Sequence, residues 1–185
     1  MTDYLSLPTD LPAPVDDGAA EHLRGMRMPH LVLSATSGLD VDLASLDGTV
    51  VVYLYPMTGA PGVALPRDWD LIPGARGCTP EACGFRDHFV ELRDAGASEV
   101  FGLSSQATEY QREAVDRLHL PFAMLSDPTF ELAEALRLPT FDVEGTRLYK
   151  RLTLIVHGGL IEHVFYPVFP TDTHAAAVVA WLTNH

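Results

Sequence analysis

The sequence predicts an α/β fold, a central mixed sheet with helices on both faces. Three observations predict it. Strand-like and helix-like segments alternate through the middle of the chain, the order that builds a sheet with crossover helices. Thr49 to Tyr55 (TVVVYLY) is an unbroken apolar, β-branched run, suited to a central strand covered on both sides. Late in the chain, two apolar runs flank His157-Gly158-Gly159, a hairpin signal that makes the sheet mixed. The 185 residues fit one domain.

Each element has its own signal. Residues 1–27 are rich in Pro and Asp and read as a loosely ordered lead-in, with the domain running from 28 to 185. Leu31–Leu33 and Val41–Leu43 read as short strands around the Ser37-Gly38 turn. Pro56 ends the central strand. Met57–Gly77, rich in Gly and Pro, reads as a long connection, and such loops are often functional. A helix follows, with Thr79 as N-cap, Pro80 at the first helical position and Glu81 at the positive end of the dipole. Phe85, Phe89 and Leu92 recur at helical spacing until Gly96 stops the helix. Glu99–Leu103 reads as a strand, Thr108–Leu118 as a helix, and Ala123–Leu125 as a short strand ending at Ser126-Asp127. Phe130–Leu138 is a further helix. Leu152–Val156 and Ile161–Phe165 form the hairpin, and Ala175–Leu182 closes the chain as a helix.

Twelve basic and 25 acidic side chains leave a net charge of −13. Nucleic acid and anionic membranes would repel such a chain, so neither is expected as a partner. No apolar run is long enough to span a bilayer, and the first residues lack the basic start and apolar stretch of a secretion signal. The expected compartment is a reducing cytoplasm. There the close pair of thiols, Cys78 and Cys83, reads as catalytic or redox-sensing rather than as a structural disulfide.

Cys78 falls just before or within the first turn of its helix, where unpaired N–H groups and the positive dipole end favour a thiolate. Attack of that thiolate on a peroxide would leave a sulfenic acid. Cys83 lies five residues on. In an unbroken helix the two Cα atoms stand roughly 8–9 Å apart, on faces about 140° apart. A disulfide needs less than about 7 Å. The two sulfurs can therefore bond only if the helix start unravels. Spacing alone leaves open that both are small buried hydrophobes. A zinc site is disfavoured, because C-x4-C has no partner pair and the eight histidines form no spaced cluster.

The stretch Gly77-Cys78-Thr79-Pro80-Glu81-Ala82-Cys83-Gly84-Phe85-Arg86-Asp87 resembles the active-site helix of the atypical two-cysteine peroxiredoxins, the bacterioferritin-comigratory-protein or PrxQ group. The resemblance runs from about Leu23 to Trp181. It includes Leu46-Asp47-Gly48, VVVYLYP, Phe101–Ser104, Leu120–Phe122, Leu125–Pro128, Lys150–Ile155 and Gly159–Phe165, in the family's order. It implies a thioredoxin-like fold, Cys78 as peroxidatic and Cys83 as resolving cysteine, and Arg151 as the active-site arginine. A guanidinium there would stabilise the thiolate and orient the peroxide oxygens. Glu81 resembles the family position that orients such an arginine, and it serves equally as a helix-start acid.

The chain departs from the family's P-x-x-x-T-x-x-C loop. Ala75 and Leu71 occupy the threonine and proline places counted back from Cys78. Counted forward from Pro56, the cysteine would fall at position 63, so 78 − 63 leaves an insertion of about 15 residues. Pro56 keeps the family's place at the strand end and is expected at the pocket's border. Either Thr58 folds back to the site or no threonine takes part. The inserted piece, with Trp69, reads as a lid, a binding surface or a tolerated surface insertion.

The expected activity is reduction of hydrogen peroxide or organic hydroperoxides by Cys78, with an intramolecular disulfide to Cys83 recycled by thioredoxin. It requires no metal, flavin or haem, and the family resemblance favours a monomer. Two rivals are a general disulfide oxidoreductase, for which C-x-x-C is the usual spacing, and a redox-switched binding module using the Met57–Gly77 loop.

Overall fold

The computed structural model of the chain describes residues 7–8 and 10–185. Its central strand, β3 (Thr49–Leu54), is buried from Val50 onward. Alternation explains why both faces of this strand are apolar. Val50, Val52 and Leu54 enter one core with Leu132, Leu136 and Tyr149. Val51, Tyr53 and Tyr55 enter the other with Phe85, Leu92 and Val178.

The remaining strands are β1 (Val32–Ala35), β2 (Asp40–Asp42), β4 (Ala97–Ser104), β5 (Met124–Ser126), β6 (Thr140–Val143), β7 (Thr146–Tyr149), β8 (Leu152–His157) and β9 (Leu160–Phe165). The main sheet runs β2-β1-β5-β4-β3-β8-β9. Strands β3, β4 and β5 are parallel, and β8 and β9 join antiparallel, so the sheet is mixed as the sequence predicts. The helices are α1 (Cys78–Asp87), α2 (Phe89–Asp94), α3 (Thr108–Leu118), α4 (Glu131–Leu136) and α5 (His174–Asn184). Phe85 of α1 stacks on Tyr53 of β3 with ring centroids 4.3 Å apart, which fixes the site helix to the sheet.

Four expectations need correcting. The helix predicted through Leu92 is two helices, because His88 (φ −95°, ψ 11°) leaves helical geometry between α1 and α2. Helix α1 starts one residue before Thr79, since Gly77 at φ 111° is its N-cap; Pro80 therefore sits third in the helix. A Cβ at Gly77 would also collide with the Thr171 hydroxyl, so both backbone and space demand glycine. The β6–β7 hairpin was not anticipated; Glu144-Gly145 makes its turn.

The lead-in is the fourth. Residues 1–6 and 9 lie outside the described residues, but from Asp16 on the segment is tied down. Leu23 is fully buried. Backbone bonds join Gly25 to Ile161 and Met28 to Gly159. Asp17 accepts from Lys150 Nζ at 2.6 Å and from the Tyr166 hydroxyl at 2.7 Å. The Pro- and Asp-rich composition hides two apolar residues, Ala20 and Leu23, that find the core.

Candidate active site

Arg151 immediately precedes β8. Its side chain falls on the same sheet face as Thr153 and Ile155, two and four residues on, which is the face that carries α1. Its Nη2 donates to Cys78 Sγ at 3.0 Å, and its Nη1 pairs with Glu81 Oε2. Nε and Nη2 also donate to the carbonyls of Gly74 at 3.3 Å and Ala75 at 3.2 Å. One guanidinium therefore gathers the thiol, the carboxylate and the end of the long loop. All three side chains are buried. The sequence-predicted Cys78, Glu81 and Arg151 meet although Arg151 is 70 residues or more from the others.

Cys78 is the first residue of α1, at its positive end. Burial nevertheless pushes its thiol up from the ordinary range; Arg151 and the Met57 backbone N–H, bonded to the sulfur, pull it back, and Glu81 adds to the rise. The depressed pKa expected from the helix start is thus outweighed by desolvation in this closed site. Burial also pushes Glu81 up to about 7, against the pull of Arg151. Arg151 stays charged: burial disfavours its cation, but Cys78 and Glu81 more than compensate. One cation is shared by two potential anions. A thiolate with protonated Glu81 leaves the buried trio neutral, whereas full ionisation leaves one uncompensated negative charge.

Cys83 sits one and a half turns along the same helix. It is half-buried, beside the Arg86 guanidinium, and burial pushes its thiol up. Both cysteines are free thiols. Among the described residues, no group of His, Cys, Asp or Glu gathers in a way that could hold a metal ion.

A redoxin family model matches residues 23–179. The chain belongs to the redoxin family. Peroxiredoxin Bcp of Escherichia coli (strain K12) is 32% identical to it over 167 residues, 85% of this chain and 93% of that protein. Chloroplastic peroxiredoxin Q of Sedum lineare is 29% identical over 156 residues, 84% of this chain and 75% of that one. Among solved structures, peroxidoxin BcpB from Mycobacterium tuberculosis aligns with a TM-score of 0.69 at 24% identity, over 87% of this chain and 96% of that one. That last likeness speaks for the fold, a thioredoxin-like α/β sheet flanked by helices. Within the redoxins the chain is a peroxiredoxin of the Bcp and Q kind, a thiol peroxidase.

The peroxiredoxin loop is where this chain is unusual. Thr58 is buried, but its hydroxyl and N–H both donate to Gln106 Oε1, at 3.2 and 2.7 Å, and Gln106 Nε2 donates back to the Thr58 carbonyl at 3.1 Å. Its hydroxyl is thus engaged away from Cys78. Pro56 is buried at the strand end; Met57 and Gly59, not Pro56 or Thr58, line the cavity at Cys78.

Sequence reasoning missed several residues of this site. Gln106 clamps the loop so that the Met57 N–H meets the sulfur. A glutamine two residues after the buried strand end at Ser104 is the faint signal for it. The buried His174 accepts or shares a hydrogen bond with Thr153 at 2.8 Å, and burial, then Arg151, lowers it to about 3, so it is neutral beside the site. Leu65, Trp69 and Arg76 of the inserted segment also line the cavity at Cys78. Of these the sequence singled out Trp69 alone, as part of an inserted lid or surface; nothing local marks Leu65 or Arg76.

Proposed function

We propose that Cys78 is the peroxidatic and Cys83 the resolving cysteine of this peroxidase. The observation that carries the reading is the 3.0 Å bond from Arg151 to the Cys78 sulfur at the start of α1. The thiolate attacks the terminal, hydroxyl-bearing oxygen of hydrogen peroxide or an organic hydroperoxide. The S–O bond forms as the O–O bond breaks; water or alcohol leaves after taking up a proton, and Cys78 becomes a sulfenic acid. Arg151, the free N–H groups of the first turn and the Met57 amide face the charge that develops on sulfur and oxygen.

Cys83 then attacks the sulfenic sulfur, releasing water and forming the Cys78–Cys83 disulfide. Both residues lie in one helix, so the first turns of α1 must open for that bond to form. A dithiol, for which thioredoxin is the proposed source, reduces the disulfide and is itself oxidised. Because the pair lies in a single chain, the cycle is complete in a monomer. Two free thiols suit the reducing cytoplasm as the site of action.

The test is a titration of reduced protein with hydrogen peroxide, read by intact mass. Wild type is expected to show one disulfide per equivalent. Cys83→Ser should stop at the sulfenic acid after one turnover and lose thioredoxin-driven cycling. Cys78→Ser should consume no peroxide. Sustained cycling of the Cys83 variant would remove the resolving role, and peroxide consumption by the Cys78 variant would remove the peroxidatic one.

A further inference from the structure

Cys78 lines a cavity of about 20 Å³. A water needs roughly 10–15 Å³ on this measure, so the space at the sulfur takes one or two oxygens, and any larger group must lie against the walls at its mouth. Its walls come from the helix start (Gly77, Thr79, Pro80), from Met57 and Gly59, and from the inserted segment. That segment contributes Leu65, Trp69 and Arg76.

The inserted wall is held in place at several points. Trp69 is buried and packs with Ala75 and Leu148, its ring 6.3 Å from that of Phe141. The Arg67 N–H bonds Glu144 at 3.3 Å, and Arg117 bonds the Gly59 carbonyl at 3.0 Å. Arg76 pairs with Asp70 at 3.2 Å within the segment, and Arg151 holds its far end through Gly74. The β6–β7 hairpin is therefore the platform on which the segment rests. A roomier, apolar cavity of about 260 Å³ lies beside Arg151, but Cys78 is not among its lining residues.

Resting on the peroxidase reading above, we infer that the inserted segment is a size filter: Leu65 and Trp69 select hydrogen peroxide over bulky organic hydroperoxides at Cys78. An apolar wall rejects a misfitting group sterically, at roughly tenfold or more per group. Hydrogen peroxide fits beside the sulfur without moving that wall, whereas a cumyl group would have to be accommodated against Leu65 and Trp69.

The experiment measures second-order rate constants for thiol oxidation of the reduced protein by hydrogen peroxide and by cumene hydroperoxide, using quenched samples read by mass. Wild type should favour hydrogen peroxide by at least about tenfold. Trp69→Ala and Leu65→Ala should each lower that ratio several-fold by speeding the cumene reaction. Leu71→Ser, on the exposed side of the same segment, should leave the ratio where it is. If Trp69→Ala fails to fold, the half-buried Leu65 carries the test. Equal rates in wild type, an unchanged ratio in folded Leu65→Ala, or an equal drop in Leu71→Ser would overturn the filter and leave the peroxidase intact. Inertness of wild type to both peroxides would instead overturn the peroxidase reading on which the filter rests.

Discussion

The two cysteines of α1 share one helix and differ in almost everything around them. Cys78 is buried at the helix start, bonded by a guanidinium and a backbone amide, with a carboxyl competing for the same cation. Cys83, five residues on, is half-exposed and lies beside Arg86, with Asp87 and Arg117 also acting on it. Cys78 is the first of the helix's ten residues and Cys83 the sixth, but position along the axis does not by itself set burial. The difference comes from what is laid over each. Arg151, the end of the inserted segment and Met57 converge on the first turn, while the face bearing Cys83 stays open. A site built this way separates two tasks. One sulfur is held where developing charge is stabilised; the other is left where it can move.

The largest way to break that comparison is to remove Arg151. Arg151→Ala takes away the group that distinguishes the two surroundings, and losing a preorganised donor at the reacting centre costs roughly 10²–10³ in rate. Peroxide kcat/KM is expected to fall by that much. Glu81 would also be left buried without its partner, a loss on the order of 3–5 kcal/mol in denaturant unfolding. Arg151→Lys keeps the charge but not the planar fork that spans Cys78 Sγ, Glu81 and the Gly74 and Ala75 carbonyls, so it should recover only part of both. A rate within a few-fold of wild type in Arg151→Ala would mean that the special surroundings of Cys78 are inert.

A subtler change sharpens the comparison without dismantling it. Glu81→Gln keeps an acceptor for Arg151 and removes the competing negative charge. Because Glu81 is one of the groups that raise the Cys78 thiol, the substitution should lower the Cys78 pKa, read by the ultraviolet absorbance of the thiolate, and leave Cys83 unmoved. Stability supplies an independent check. Folding raises Glu81 from 4.5 to about 7, so the folded state holds this proton more tightly than the unfolded chain. The associated stability is fully present below pH 4.5 and is lost as pH rises through about 7. That loss is on the order of 3 kcal/mol. Unfolding free energies of wild type and Glu81→Gln should therefore converge at low pH and separate toward neutrality, with wild type losing more. Parallel curves would show that Glu81 keeps an ordinary pKa.

What the sequence disclosed follows the same division. Strand β3 was legible because a run buried on both faces is a local pattern. Arg151 came from the resemblance alone; its parity with Thr153 and Ile155 gains meaning only once the structure lays α1 on their face. The family resemblance named Cys78, Cys83, Arg151 and Glu81 together. The inserted segment was legible only as a lid, a binding surface or a surface insertion, with Trp69 singled out, and its contacts were not. Leu65 and Trp69 sit among glycines and prolines with no periodicity, and their partners Phe141 and Leu148 belong to a hairpin whose half-exposed strands carry little alternation. The net rise of the Cys78 pKa was hidden for the same reason. A helix N-terminus can be read locally, but desolvation depends on what distant segments cover it.

The smallest expected effect concerns Thr58, whose place at the start of the family's loop made it a candidate for bonding peroxide. Its hydroxyl is spent on Gln106 Oε1, and its backbone N–H makes the shorter bond to the same oxygen. Thr58→Val keeps the backbone bond and the shape while deleting the hydroxyl. It should cost about 1 kcal/mol of stability. Peroxide kcat/KM should fall less than about tenfold, against the 10²–10³ of a lost transition-state donor. A fall as deep as that of Arg151→Ala would mean that Thr58 turns from Gln106 to the sulfur when peroxide arrives. The comparison within α1 would then need a third participant on the Cys78 side, supplied by the same Gln106 clamp that presents the Met57 amide.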